Sequence, residues 1–205
     1  MAYVLGFFAA DGNMLVNKRG AHFIEFPSTD KEIVYKIRDA LKSNLIVSEY
    51  QPKDKNNRRR YRLQIGSKEI YNDLLKFGMM PRKSKLMGFP SIPDEYLSHF
   101  VRGYFDGDGN VTVTTYVRKN RNNKLTTTIL SGFISGSKNF LEGLFLKLKE
   151  VANISSGSLY YYGRGYRLYF SVRGSLALYG FMYKNSDNFY LPRKKKIFEK
   201  YFKID

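Results

Sequence analysis

Apolar positions recur along this chain in two rhythms, one at helical spacing and one at every second residue. Ile33, Ile37 and Leu41, four apart, predict a helix over 30–41, and Leu141, Leu144, Phe145 and Leu148 predict another over 138–151. Alternating stretches rich in Thr, Val, Ile and Tyr, which suit a pleated surface, predict strands around them. In the first part of the chain these cover 14–17 and 22–26, turning at Lys18-Arg19-Gly20, and then 46–50 and 60–65. In the second they cover 111–118 and 126–134, joined by the polar 119–124, and then 157–162 and 166–172. A closing helix is predicted over 67–77 and another over 175–183.

The two series share one order because the chain repeats itself. Val4-Leu5-Gly6-Phe7-Phe8-Ala9-Ala10-Asp11-Gly12 returns as Val101-Arg102-Gly103-Tyr104-Phe105-Asp106-Gly107-Asp108-Gly109. Gly6 and Gly103 lie 97 positions apart, as do Asp11 and Asp108. Pro81-Arg82-Lys83 recurs as Pro192-Arg193-Lys194, and Arg62-Leu63-Gln64 resembles Arg167-Leu168-Tyr169. A period near one hundred is too long for a solenoid unit. It describes a duplicated α+β domain, αββαββα in each half, with halves 1–90 and 91–205 meeting near Pro90 and Pro93. Two such halves could form one long antiparallel sheet with helices on a single face.

The repeated helices carry the candidate chemistry. Gly6 and Ala10, like Gly103 and Gly107, place small residues four apart on one face, which lets two helix backbones approach closely. Packed side by side, these helices would bring Asp11 and Asp108 together at their C-termini. That arrangement is costly, because each helix end already carries about half a negative charge. A hard divalent cation held by oxygen ligands, such as Mg²⁺ or Mn²⁺, would relieve it. Asp106 has Ala9 as its counterpart, so a symmetric site cannot require it, and it is read as a supporting carboxylate at the helix end. Other readings of 106–109 fail. An EF-hand loop begun at Asp106 would need Glu where Val117 stands, and a phosphatase-type acid needs an apolar strand before it, which Arg102 and Gly103 interrupt.

Composition narrows the partner. The 205 residues carry 35 Lys and Arg against 18 Asp and Glu, a formal charge of +17 that would concentrate a polyanion. With 43% hydrophobic residues and 16% aromatic, the chain can bury a substantial core. There is no cysteine, so disulfides and thiolate metal sites are excluded. His22 and His99 are unmatched by the repeat and read as structural; two histidines argue against zinc. The apolar start has no basic region before it and is copied in mid-chain, so it reads as part of the fold and not as a signal peptide. An intracellular protein is expected, in a prokaryotic or phage-infected cytoplasm or in an organelle.

The repeated motif resembles the LAGLIDADG signature of homing endonucleases, in the monomeric form with two copies. The match runs over Val4 to Gly12 and Val101 to Gly109, and the αββαββ order extends it over the chain. The resemblance implies a saddle-shaped sheet straddling double-stranded DNA, a long and partly asymmetric target, and intron homing by metal-dependent cleavage of both strands. It puts Asp11 and Asp108 in the catalytic positions, with Ala10 and Gly107 beside them in the metal site. It also makes Lys83 and Lys194 candidates for a basic group near the scissile phosphates, although phosphate anchoring would use the same residues.

Period two sets Arg60, Arg62 and Gln64 on one strand face, where Arg suits guanine and Gln suits adenine in the major groove. Arg58 and Arg59 extend this surface, and in the second half Arg164, Tyr166 and Arg167, with Thr112, Thr114 and Tyr116, occupy similar ground. Arg118, Lys119, Arg121 and Lys124 form a loop suited to backbone phosphate. The rival functions are an RNA-binding intron maturase on the same scaffold and a DNA-binding protein that has lost cleavage. A membrane-surface role is weaker, because the basic residues lie on strand patterns and not on an amphipathic helix.

Overall fold

A computed structural model describes residues 1–52, 58–81, 86–118, 123–186 and 188–204. The first half runs α1 (Ala2–Asp11), β1 (Asn13–Val16), β2 (His22–Ser28), α2 (Lys31–Ala40), β3 (Ser48–Tyr50), β4 (Arg60–Gly66) and α3 (Lys68–Lys76). The second runs α4 (Asp94–Asp108), β5 (Gly109–Arg118), β6 (Lys124–Ser135), α5 (Lys138–Ala152), β7 (Ser158–Tyr162), β8 (Gly165–Phe170) and α6 (Val172–Tyr183), and adds α7 (Pro192–Phe202).

Local chemistry sets these boundaries. Ser67 and Ser137 cap α3 and α5, each hydroxyl accepting from the backbone N–H three residues on. Asp94 and Glu95 sit in the first turn of α4, where the helix dipole favours acids. Helix α1 is apolar on nearly every side and buries Tyr3, Val4, Gly6, Phe7, Phe8 and Ala9, as a central helix must. The strand expected to reach Val172 stops at Phe170, since Ser171 is the N-cap of α6.

The sheet expectation needs correction. Instead of one long sheet there are two of four antiparallel strands, β1-β2-β4-β3 and β5-β6-β8-β7, each closed within its own half. The halves join through helices: α1 packs along α4, and each helix hands over directly to an edge strand, β1 or β5. Within each sheet one face meets helices. Ile24, Phe26 and Leu63 are buried against that side in the first half, and Ile129, Phe133, Leu168 and Phe170 in the second.

The segment leading into α7 lies astride both halves. Lys36 of α2 donates to the Asn188 carbonyl at 2.9 Å, the Tyr3 ring stacks on Phe189 at 4.2 Å, and Arg193 pairs with Asp30 at 2.9 Å.

Candidate paired-acid site and nucleic-acid interface

The glycines of the repeat are what allow α1 and α4 to touch. A Cβ on Gly6 would stand 2.0 Å from the Phe100 carbonyl oxygen, and one on Gly103 would stand 2.0 Å from that of Tyr3. The two contacts are reciprocal, as pseudo-symmetry requires. One turn on, a Cβ on Gly107 would meet Ala10 Cβ at 2.4 Å and the Asp11 carboxylate at 3.1 Å. Asp11 thus overhangs the residue that precedes Asp108, and both acids are half-buried. They also act on common neighbours. Burial first, and then the charges of Asp108 and Asp11, push the Tyr104 phenol well above its usual range.

Lys194 lies beneath the end of α4, where its ammonium donates to the carbonyls of Phe105 (2.6 Å), Asp106 (2.9 Å), Gly107 (3.3 Å) and Gly109 (2.7 Å). It is 6% exposed, and burial lowers its pKa to about 8 against the opposing pull of Asp106, Asp11 and Asp108. Its positive charge meets the negative end of the helix that carries Asp108. The resemblance made Lys194 a candidate near the scissile phosphates or a phosphate anchor; here its donors go to backbone carbonyls at the end of α4 and the start of β5, Gly107's among them. Lys83, its repeat partner, falls outside the described residues.

Asp106 is buried between α1, α4 and α7. One carboxylate oxygen accepts from the Tyr3 hydroxyl at 2.6 Å and from the Leu191 N–H at 2.9 Å. Burial outweighs these bonds and the nearby Lys194 and Arg102 charges, raising its pKa to about 6. Arg102 is also buried, donating to the carbonyls of Met182 at 2.6 Å and Phe189 at 2.9 Å and lying 2.8 Å from His99. Sequence reasoning missed Arg102. Its only signal was a cation set within an apolar run.

On the helix-free face of the first sheet, Arg60, Arg62 and Gln64 alternate with Tyr61, Leu63 and Ile65 as the period predicts. Arg58 is exposed beside them, while Arg59 pairs with Glu49 and donates to Gln51 at 3.0 Å. A residue absent from the expected set sits among them: Glu25 on β2, only 6% exposed, bound by both Arg62 and Gln64.

On the second sheet, Arg167 shares its face with Tyr169 and lies 4.5 Å from the Tyr162 ring centre. Tyr166 does not belong there, because alternation turns it toward the helix side with Leu168 and Phe170. Arg164 is exposed in the β7–β8 turn and Lys124 is exposed at the start of β6. Arg118 donates to the Tyr116 hydroxyl at 3.1 Å. Lys119 and Arg121 lie outside the described residues.

No cluster of three or more His, Cys, Asp or Glu capable of holding a metal occurs among the described residues. Two neighbouring carboxylates are nevertheless a hard-oxygen set that suits Mg²⁺, with other positions open to water and phosphate. Gly107 leaves the space that the Asp11 carboxylate needs, so the residues present fit such an ion. Among the described residues no helix is long and apolar enough to cross a membrane.

This architecture defines a class, a duplicated αββαββα protein whose halves interlock through glycine-faced helices ending in acids. Residues 1–78 match the model of the LAGLIDADG-like domain. Over the whole chain the fold is that of solved LAGLIDADG proteins. It is similar to the homing endonuclease I-WcaI bound to its DNA recognition sequence, at 15% identity and a TM-score of 0.64 over 96% of this chain and 84% of that one. For the LAGLIDADG meganuclease I-AabMI bound to uncleaved DNA the values are 14%, 0.66, 98% and 88%. The N-terminal LAGLIDADG domain of DUF199/WhiA is also similar, at 17% identity and a TM-score of 0.57 over 96% of this chain and 85% of that one. An uncharacterized protein of Methanocaldococcus jannaschii is 26% identical over 118 residues, 55% of this chain. The chain aligns with 39% of that relative's length.

Proposed function

We propose that this protein is a site-specific endonuclease that binds double-stranded DNA across its two sheets and cuts both strands between them. The observation that supports the proposal is the pair of motif helices interlocked through Gly6 and Gly103, with the Asp11 carboxylate set over Gly107, the residue before Asp108. Asp11 and Asp108 would hold divalent magnesium, which when bound supplies activated water and stabilisation of the leaving oxygen. The chain's own part is positioning. The helix contact brings the acids near one another, Lys194 neutralises the end of α4, and the buried Tyr104 lies within reach of both acids' charges. Halves 1–90 and 91–205 would each follow about one helical turn, giving a target of about 20 base pairs.

A duplex library with randomised sites, incubated with Mg²⁺ or with EDTA, tests this. Double-strand breaks are expected with Mg²⁺ alone, and Asp11→Asn or Asp108→Asn should abolish them while leaving binding intact. Cutting that survives both substitutions would remove the mechanism. Sequence-specific binding without cutting in Mg²⁺ or Mn²⁺ would favour a DNA-binding protein; likeness to the WhiA domain, in a chain that keeps both acids, makes that the second reading.

A further inference from the structure

Glu25 is the one buried acid on the helix-free face of either sheet among the described residues. It lies on the inner strand β2, opposite Asn13 of β1 on one side and Gln64 of β4 on the other. Its Oε1 accepts from Gln64 Nε2 at 2.7 Å and from Arg62 Nη1 at 3.1 Å. A carboxylate only accepts, so the bond fixes which end of the Gln64 amide faces it. The second amide hydrogen and the amide oxygen remain, and these are the pair that an adenine edge requires.

The duplication provides an internal comparison. Asn13 and Asn110 each follow a motif Asp-Gly; Asn13 pairs with Glu25, and Asn110 pairs with Gly132. On the other side Glu25 faces Gln64, whereas Gly132 faces Tyr169. Gly132 is therefore the counterpart of Glu25, and Arg167 is the counterpart of Arg62. A Cβ on Gly132 would stand 2.0 Å from the Leu168 carbonyl oxygen, so no acid fits there. Arg167 accordingly has no acid at the equivalent register, and its buried Nε has no hydrogen-bond partner among the described residues. The same arginine is held by a carboxylate in one half and not in the other.

We infer that Glu25 is a specificity-determining residue that holds Arg62 and Gln64 in fixed positions, so that the first sheet reads base edges in preference to phosphate. The inference rests on the DNA-binding reading above. An acid on a basic surface opposes indiscriminate polyanion binding, and two tethered side chains lose less freedom on meeting a base.

The test compares wild-type protein, Glu25→Gln and Glu25→Ala on a randomised duplex library over a salt series, with thermal melts to verify folding. Glu25→Gln should bind non-target DNA about tenfold more tightly, with a salt slope steeper by about one phosphate. It should also lose about tenfold discrimination at the base pairs read by the first half, while those read by the second half are unchanged. In an Arg62→Ala/Gln64→Ala background the Glu25 substitution should have no further effect on discrimination at those base pairs, while its charge effect on non-target binding persists. An unchanged base profile in a folded Glu25→Gln protein, beside a specific wild type, overturns the inference alone. Wild-type protein with no affinity for duplex DNA overturns both this inference and the proposed function.

Discussion

Asp106 shows how a repeated motif can diverge at one position without losing its geometry. Where the first copy has Ala9, the second has a buried carboxylate joined to Tyr3 and to the Leu191 N–H. Its pKa of about 6 lies above the usual unfolded value near 4, so the folded state holds its proton more tightly. Its contribution to stability is therefore greatest below about pH 4 and declines as pH rises toward 6. Asn keeps the accepting oxygen without the charge. Asp106→Asn should melt close to wild type at pH 4 and gain on it, by up to about 3 kcal/mol, at pH 7. Thermal melts at the two pH values check this, and a difference that does not move between them would refute the buried-charge account.

At the level of elements, the α1–α4 contact depends on having no side chain at two points. Gly103→Ala would force a methyl to within 2.0 Å of a backbone carbonyl that cannot swing aside, so the helices must part. We expect a loss of about 3 kcal/mol in urea unfolding, at the upper end for overpacking. Gly180→Ala in α6 is the control: nothing lies within 4 Å of the added methyl, so that variant should be neutral or slightly stabilised. A Gly103→Ala protein as stable as the control would show that the helices are not in contact.

These elements were largely legible in the chain because periodicity and repetition are local signals. Boundaries for β1, β2, α2 and α5 fall within a few residues of expectation, and the paired glycines follow from spacing alone. Helix α7 was not anticipated, since its lysine-rich start looks like a phosphate anchor; Pro192 at the first helical position was the overlooked clue. The role of Lys194 could not be read either, because its partners lie 85 to 89 positions away. Glu25 could have been found: it alternates with Ile24 and Phe26, and that places it on the reading face.

Across the whole molecule, the excess of positive charge sets how binding responds to salt. If about eight phosphates are neutralised, affinity should fall a thousandfold or more between low and physiological salt. Filter binding across a salt series measures the slope, and a flat response would mean that the basic faces do not meet the backbone. The tail before α7 carries a further implication. Through Lys36, Tyr3 and Asp30, the last part of the chain fastens onto the first half while α7 stays packed on β5 of its own sheet. The halves are thus not freely exchangeable modules. A chimera that grafts a foreign second half onto residues 1–90 would conserve the glycine seam yet leave those three anchors facing an unmatched strap, so recombining target preferences requires transplanting the strap together with its moorings.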